Sequence, residues 1–109
     1  MEFHNASLLR IFISEDDMLG DLTLADAILR EAHATRLAGA TVVHGRGGYA
    51  PSGIGVAHYQ PRGERLPIVV EIVDLEAKIA DFLPTLDRLV ISGAVTVQPV
   101  RYAAISAPK

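Results

Sequence analysis

The chain has 109 residues and a mass of 11.7 kDa, a length that suits one domain and leaves no room for two. Half of its residues are hydrophobic and 21% are charged, which marks a folded chain, and a net charge of −3 lacks the positive surface that nucleic-acid binding requires. With no cysteine, disulfide scaffolds, thiolate metal sites, iron–sulfur clusters and cysteine nucleophiles are excluded. Residues 1–6 hold no basic stretch followed by an apolar run. The longest apolar stretch, residues 67–73, is broken by Glu71 and falls far short of the about 20 residues that cross a bilayer. The expectation is a cytoplasmic protein without direct membrane insertion.

Residues 7–14, SLLRIFIS, are apolar and partly β-branched and predict a first strand. Glu15, Asp16 and Asp17, with Gly20 and Asp21 after them, read as a solvated turn. Thr23 with Asp26 three residues on resembles a capping box, and Leu24, Ala27, Ile28 and Ala32 keep helical spacing. A helix is therefore predicted from Thr23 to about Leu37, with Gly39 as its C-cap. Residues 40–44 predict a second strand and residues 66–73 a third, Pro67 being tolerable only at a strand's start. Asp74 is expected to cap a second helix with Ile79, Phe82, Leu83, Leu86 and Leu89 on one face. Pro84 inside that pattern predicts a kink or a division into two short helices. Gly93 leads into a fourth strand from Ala94 to about Ala104, irregular around Pro99. The order βαββαβ predicts a single α+β domain over residues 1–109 of ferredoxin-like type, a four-stranded antiparallel sheet with two helices on one face.

Two features go beyond a plain monomer of that type. Leu9, Ile11 and Ile13, with Ile68, Val70 and Ile72, can face the helices, but Leu8, Phe12, Val69 and Val73 must then point away from them. A sheet covered on one side should be polar on the other, so a second copy of the chain is expected to cover that face. Arg10 and Glu71 share it, and a cross-strand ion pair between them is predicted, desolvated by the subunit contact. The other feature is the segment of residues 46–65, twenty residues where a hairpin turn would do. Six of the nine glycines fall between Gly45 and Gly63, and Arg46, Arg62 and Arg65 outweigh Glu64. Loops of this length in small domains are uncommon unless functional or disordered.

The chemistry concentrates at the start of that segment. In His44-Gly45-Arg46-Gly47-Gly48-Tyr49 the glycines let backbone amides approach an anion or form a nest, Arg46 offers a fork of donors, and Tyr49 can stack on a base. His44 can donate a hydrogen bond to the same ligand. A flexible hairpin end is the plain alternative for this run, and a strand-end imidazole the plain alternative for His44. His44 and His58 flank the segment, but no spacing among the four histidines brings three or four metal ligands together. Glu15, Asp16 and Asp17 more naturally solvate a turn than bind a cation. Without a nucleophile–base constellation or paired carboxylates on one element, no enzyme is expected.

The run LLRIFI at residues 8–13, LAGATV at residues 37–42 with Gly45, Gly48-Tyr49, and LPIVVEIVD at residues 66–74, followed by Lys78-Ile79 and Phe82-Leu83-Pro84 with Leu86-Asp87, resemble the domain of unknown function 190 family of the P-II-like signalling superfamily. The similarity runs from about Leu8 to Val100. The resemblance implies a homotrimer of ferredoxin-like subunits with their sheets at the centre, and makes residues 46–65 the counterpart of the P-II T-loop. It further implies a small anionic effector, an adenine nucleotide first of all, in clefts between subunits at the base of that loop. The loop would act on a partner such as a membrane transporter or channel. By position, Arg101 corresponds to cations that reach a neighbouring subunit's ligand. Here the connection at residues 90–94 lacks the basic residues of the P-II phosphate turn, which favours AMP or ADP over ATP. Ala50 also stands where relatives carry glycine. Two other functions remain open: a trimer that handles divalent metal, and an adaptor that needs no ligand.

Overall fold

In the computed structural model, which describes residues 1–50, 53–56, 66–90 and 92–105, the elements follow in the order β1 (His4–Ser14), β2 (Met18–Leu19), β3 (Leu22–Thr23), α1 (Leu24–Ala34), β4 (Ala40–His44), β5 (Gly47–Ala50), β6 (Gly53–Val56), β7 (Pro67–Asp74), α2 (Glu76–Leu89) and β8 (Ala94–Tyr102). Four strands make one antiparallel sheet in the order β4-β7-β1-β8, with the long β1 inside it. Both helices pack on one face. This is the ferredoxin-like arrangement expected, with two small hairpins added, β2–β3 and β5–β6.

Alternation places the core. Leu9, Ile11, Ile68, Val70 and Ile72 point to the helices and are buried with Ile28 of α1 and Ile79, Phe82 and Leu86 of α2. Each such side chain contributes about 1.5–3 kcal/mol by leaving water. The helices do not cover the whole sheet. Val95 and Val97, opposite Ile11 and Leu9 on the same side, remain 42% and 49% exposed. On the far side Leu8, Val69 and Val73 are half-buried and Phe12 and Val43 exposed, so the second face is apolar as its sequence requires.

Helix ends depart from the expectations. α1 starts as predicted, Thr23 Oγ1 accepting from the Asp26 amide at 3.2 Å, but it stops at Ala34 and not near Leu37. Arg36 takes the left-handed conformation, φ +63°, so the Arg36 amide donates to His33 O and the Leu37 amide to Ala32 O, both at 3.1 Å. That Schellman closure makes Arg36 the terminating residue where Gly39 was expected. Asp74 is not the helix cap either. The N-cap position of α2 falls to Leu75, and the buried Asp74 carboxylate accepts instead from the amides of Leu75 at 2.7 Å and Ala38 at 2.8 Å. It thereby ties the α1–β4 connection to the start of α2. Pro84 does not divide α2, which runs unbroken over 14 residues, anchored by buried Phe82 and Leu86 on either side of it. Pro99 pairs in register with Ser7 within an unbroken β8. It is tolerated because β8 is an edge strand and a proline there needs no donor on its outer side.

The acidic turn is more ordered than a solvated loop. Asp17 Oδ2 accepts from the Ser14 amide at 2.9 Å, Asp17 O accepts from the Leu24 amide at 2.8 Å, and β2 and β3 close around Gly20 and Asp21. The Glu15 amide donates to Leu66 O at 2.9 Å, fastening the end of β1 to the root of β7.

Candidate functional site

The run from His44 to Tyr49 leaves the sheet at one corner. His44 is the last residue of β4, opposite Ile68, and is exposed. The Gly45 amide donates to Pro67 O at 2.8 Å, and a Cβ on Gly45 would lie 2.6 Å from Pro67 Cγ, so only glycine lets the two stems of the segment meet so closely. Arg46 is exposed, and Gly47 and Gly48 enter β5. They run extended against β6 and do not curl into the nest suggested by their sequence, while the Gly45 amide is already committed to Pro67. Tyr49 is 86% exposed. The first part of the expected long loop is thus a β-hairpin. Residues 57–65, with His58, Arg62, Glu64 and Arg65, lie outside the described residues.

Arg101 lies at the diagonally opposite corner. It pairs with Asn5 on β1, whereas His44 is aligned through Ile68 with Ile13, eight residues further along β1, and lies on the opposite edge of the sheet, three strands across from Arg101. At about 3.3 Å per residue and 4.8 Å per strand, the two corners are roughly 30 Å apart. One chain cannot bring Arg101 and the His44–Tyr49 run onto one small ligand. The guanidinium carbon of Arg101 sits over the ring of Phe3, 5.1 Å from its centroid. Phe3 had no signal in the sequence until the register showed β1 reaching back to His4.

Between the corners, on the apolar face, Arg10 Nε donates to Glu71 Oε2 at 2.8 Å and Arg10 Nη1 to Gln98 Oε1 at 3.2 Å. The predicted ion pair is present, and Gln98 extends it onto a third strand. Both charged side chains keep about a third of their exposure in the single chain. Two surface hollows among the described residues lie away from the predicted site. A groove of about 700 Å³ runs between α2 and β8, lined by Leu83, Pro84, Val90 and Val95 among others, and a hollow of about 150 Å³ lies between Leu37, Lys78 and Phe82. Neither includes a residue of the His44–Tyr49 run or Arg101. Among the described residues, no three His, Asp or Glu side chains converge as a metal site would need, and no helix is long and apolar enough to cross a membrane.

The model of the DUF190 family, described as "Uncharacterized ACR", matches residues 6–102. The chain belongs to this family. A UPF0166 protein of Aquifex aeolicus (strain VF5) is 37% identical over 95 residues, 85% of this chain and 89% of that protein. Among solved structures, CPII of Thiomonas intermedia K12, a nitrogen regulatory PII-like protein bound to ADP, AMP and bicarbonate, superposes with a TM-score of 0.67 at 14% identity, covering 94% of this chain and all of that one. A PII-like signalling protein of Thermus thermophilus superposes with a TM-score of 0.60 at 17% identity, over 94% and 91% of the two chains. At these identities the likeness establishes the fold: this DUF190 member has the PII-like architecture.

Proposed function

We propose that this chain is a PII-like regulator that works as a homotrimer in the cytoplasm and is not an enzyme. Its effector is an adenine nucleotide, AMP or ADP rather than ATP, held in a cleft between subunits. His44, Gly45, Arg46, Gly47, Gly48 and Tyr49 of one subunit meet the ligand, with Arg101 contributed by the next. The segment that begins with the β5–β6 hairpin passes the bound state to a partner protein, a membrane transporter or channel being the first candidate. The observation that supports this reading is the roughly 30 Å between the two corners: Arg101 and the His44–Tyr49 run of one chain cannot reach one small ligand, as residues of neighbouring copies could. The apolar second face, carrying Phe12, Val69 and the Arg10–Glu71 pair, supports assembly through the sheets. That CPII is bound to ADP and AMP supports the choice of nucleotide.

The test is thermal melting of the purified protein against AMP, ADP, ATP, bicarbonate and divalent cations, with sedimentation to read the assembly. A ligand at a hundred times its dissociation constant adds about 2.7 kcal/mol per site. AMP or ADP is expected to raise the melting temperature, and Arg46→Ala and Arg101→Ala each to abolish most of that rise. A panel flat for every nucleotide would overturn the sensor reading in favour of a ligand-independent adaptor. A shift with a divalent cation alone would favour metal handling.

A further inference from the structure

The second face of the sheet is not uniformly apolar. The strand register sets Thr41 of β4, Glu71 of β7, Arg10 of β1 and Thr96 of β8 side by side on it, so one polar row crosses all four strands. At about 4.8 Å per strand the row is roughly 14 Å long. Gln98 joins it diagonally, accepting from Arg10 Nη1 at 3.2 Å. Apolar rows flank it, Val43, Val69, Phe12 and Ala94 on one side and Val73 and Leu8 on the other.

The row is bonded within itself yet incomplete. Arg10 has five N–H donors and uses two, on Glu71 and Gln98. Among the described residues, the hydroxyls of Thr41 and Thr96 make no hydrogen bond. Donors and acceptors are both left over, and the two charges cancel. An apolar partner, or one of a single charge sign, would strand one set of these groups on a face otherwise suited to burial. Another copy of the same row offers Glu71 to Arg10 and Arg10 to Glu71.

We infer that this row is a recognition element: it admits a second copy of the chain to the face, in the one register where the rows of neighbouring copies meet, and excludes other occupants. The inference rests on the assembly through the sheets proposed above and adds what decides the partner and its position. Apolar rows alone accept several offsets, because apolar side chains of similar size replace one another at little cost. A slip of two residues along a strand, about 7 Å, would set Arg10 and Glu71 against the neighbour's Phe12 or Leu8 and bury both charges among hydrocarbon. A polar position within an apolar interface fixes register by excluding such pairings.

Exchanging the charges, Arg10→Glu with Glu71→Arg in one chain, keeps the cross-strand pair and reverses its polarity, and Gln98 can turn its amide to suit. This chain and the wild type, tagged to differ in mass, are unfolded together in urea, refolded and sorted by native mass spectrometry. Each is expected to assemble with itself. Mixed assemblies should fall at least about tenfold below their statistical share, because they set like charges against each other. Arg10→Met with Glu71→Leu should also assemble with itself and stay apart from the wild type, whose charges it leaves unpaired. That second chain carries the test if circular dichroism shows the exchanged one unfolded. Free mixing of a folded variant with the wild type overturns the inference and leaves assembly through the sheets standing. A wild type that stays monomeric overturns both and leaves the face to a different protein.

Discussion

Arg10 and Glu71 face each other across β1 and β7, joined at 2.8 Å, with the apolar pairs Leu8–Val73 and Phe12–Val69 on the same face at either side. In the single chain the pair is about a third exposed, and such pairs contribute little, about 1 kcal/mol or less. Covered by another subunit, the same pair becomes one whose disruption leaves a buried charge, at a cost of about 3–5 kcal/mol.

Glu71→Ala separates these two cases. Sedimentation should show the assembly falling apart, while the unfolding free energy of the resulting monomer changes by about 1 kcal/mol or less. Exchanging both residues for apolar ones of similar size, Arg10→Met with Glu71→Leu, should restore the assembly. An intact oligomer in Glu71→Ala would mean that this face is not the one subunits share.

Two glycines make a matched test of the loop root. Gly45→Ala puts a methyl group 2.6 Å from Pro67 Cγ and should cost about 1–3 kcal/mol in urea unfolding, with faster protease cleavage after residue 45. Gly39→Ala meets nothing within 4 Å and should stay within about 0.5 kcal/mol of the wild type. Equal costs for the two would contradict the close approach of β4 and β7.

Arg36→Gly should stabilise the protein by up to about 1 kcal/mol. Its φ of +63° strains any residue with a Cβ, and the Lys78 ammonium that bonds there uses the Arg36 carbonyl, which glycine retains. Thermal melting with and without the change reads this directly, and a lower melting temperature would refute it.

Asp74→Ala takes the acceptor from two amides at once, those of Ala38 and Leu75, and should cost about 2–4 kcal/mol. Asp74→Asn keeps one carbonyl oxygen and should fall between the two. Hydrogen exchange at Ala38 and Leu75 should quicken in the alanine variant before exchange in the core does.

The layout of the sheet was legible because its signals are local and repeated: Leu9, Ile11 and Ile13, then Ile68, Val70 and Ile72, alternate without interruption. The Arg10–Glu71 pair was legible for the same reason, each charge falling mid-strand on the outward parity. Other features depend on where the chain meets itself. Asp74 looks like a cap until Ala38 is placed beside it, 36 positions away. Arg36 ends α1 against the usual preference for glycine, and no composition signal marks that. The β5–β6 hairpin is built from four glycines with little intrinsic strand preference. At the candidate site, the glycine-rich run stood out by composition. The distance between it and Arg101, and the part of Phe3, required the register of β8.

The place of β1 has a consequence for how the chain comes into being. Leu9 finds its sheet partners at Ile72 and Val97, 63 and 88 positions later. During synthesis, which adds about 5–20 residues per second, the first 66 residues therefore leave the ribosome without a neighbour for their longest and most apolar strand. Helix α1 can form early from nearby contacts, but the sheet cannot start until β7 emerges and cannot close until β8 does. Closure of the sheet thus waits for β8, and any product truncated before residue 94 carries β1 with one edge bare.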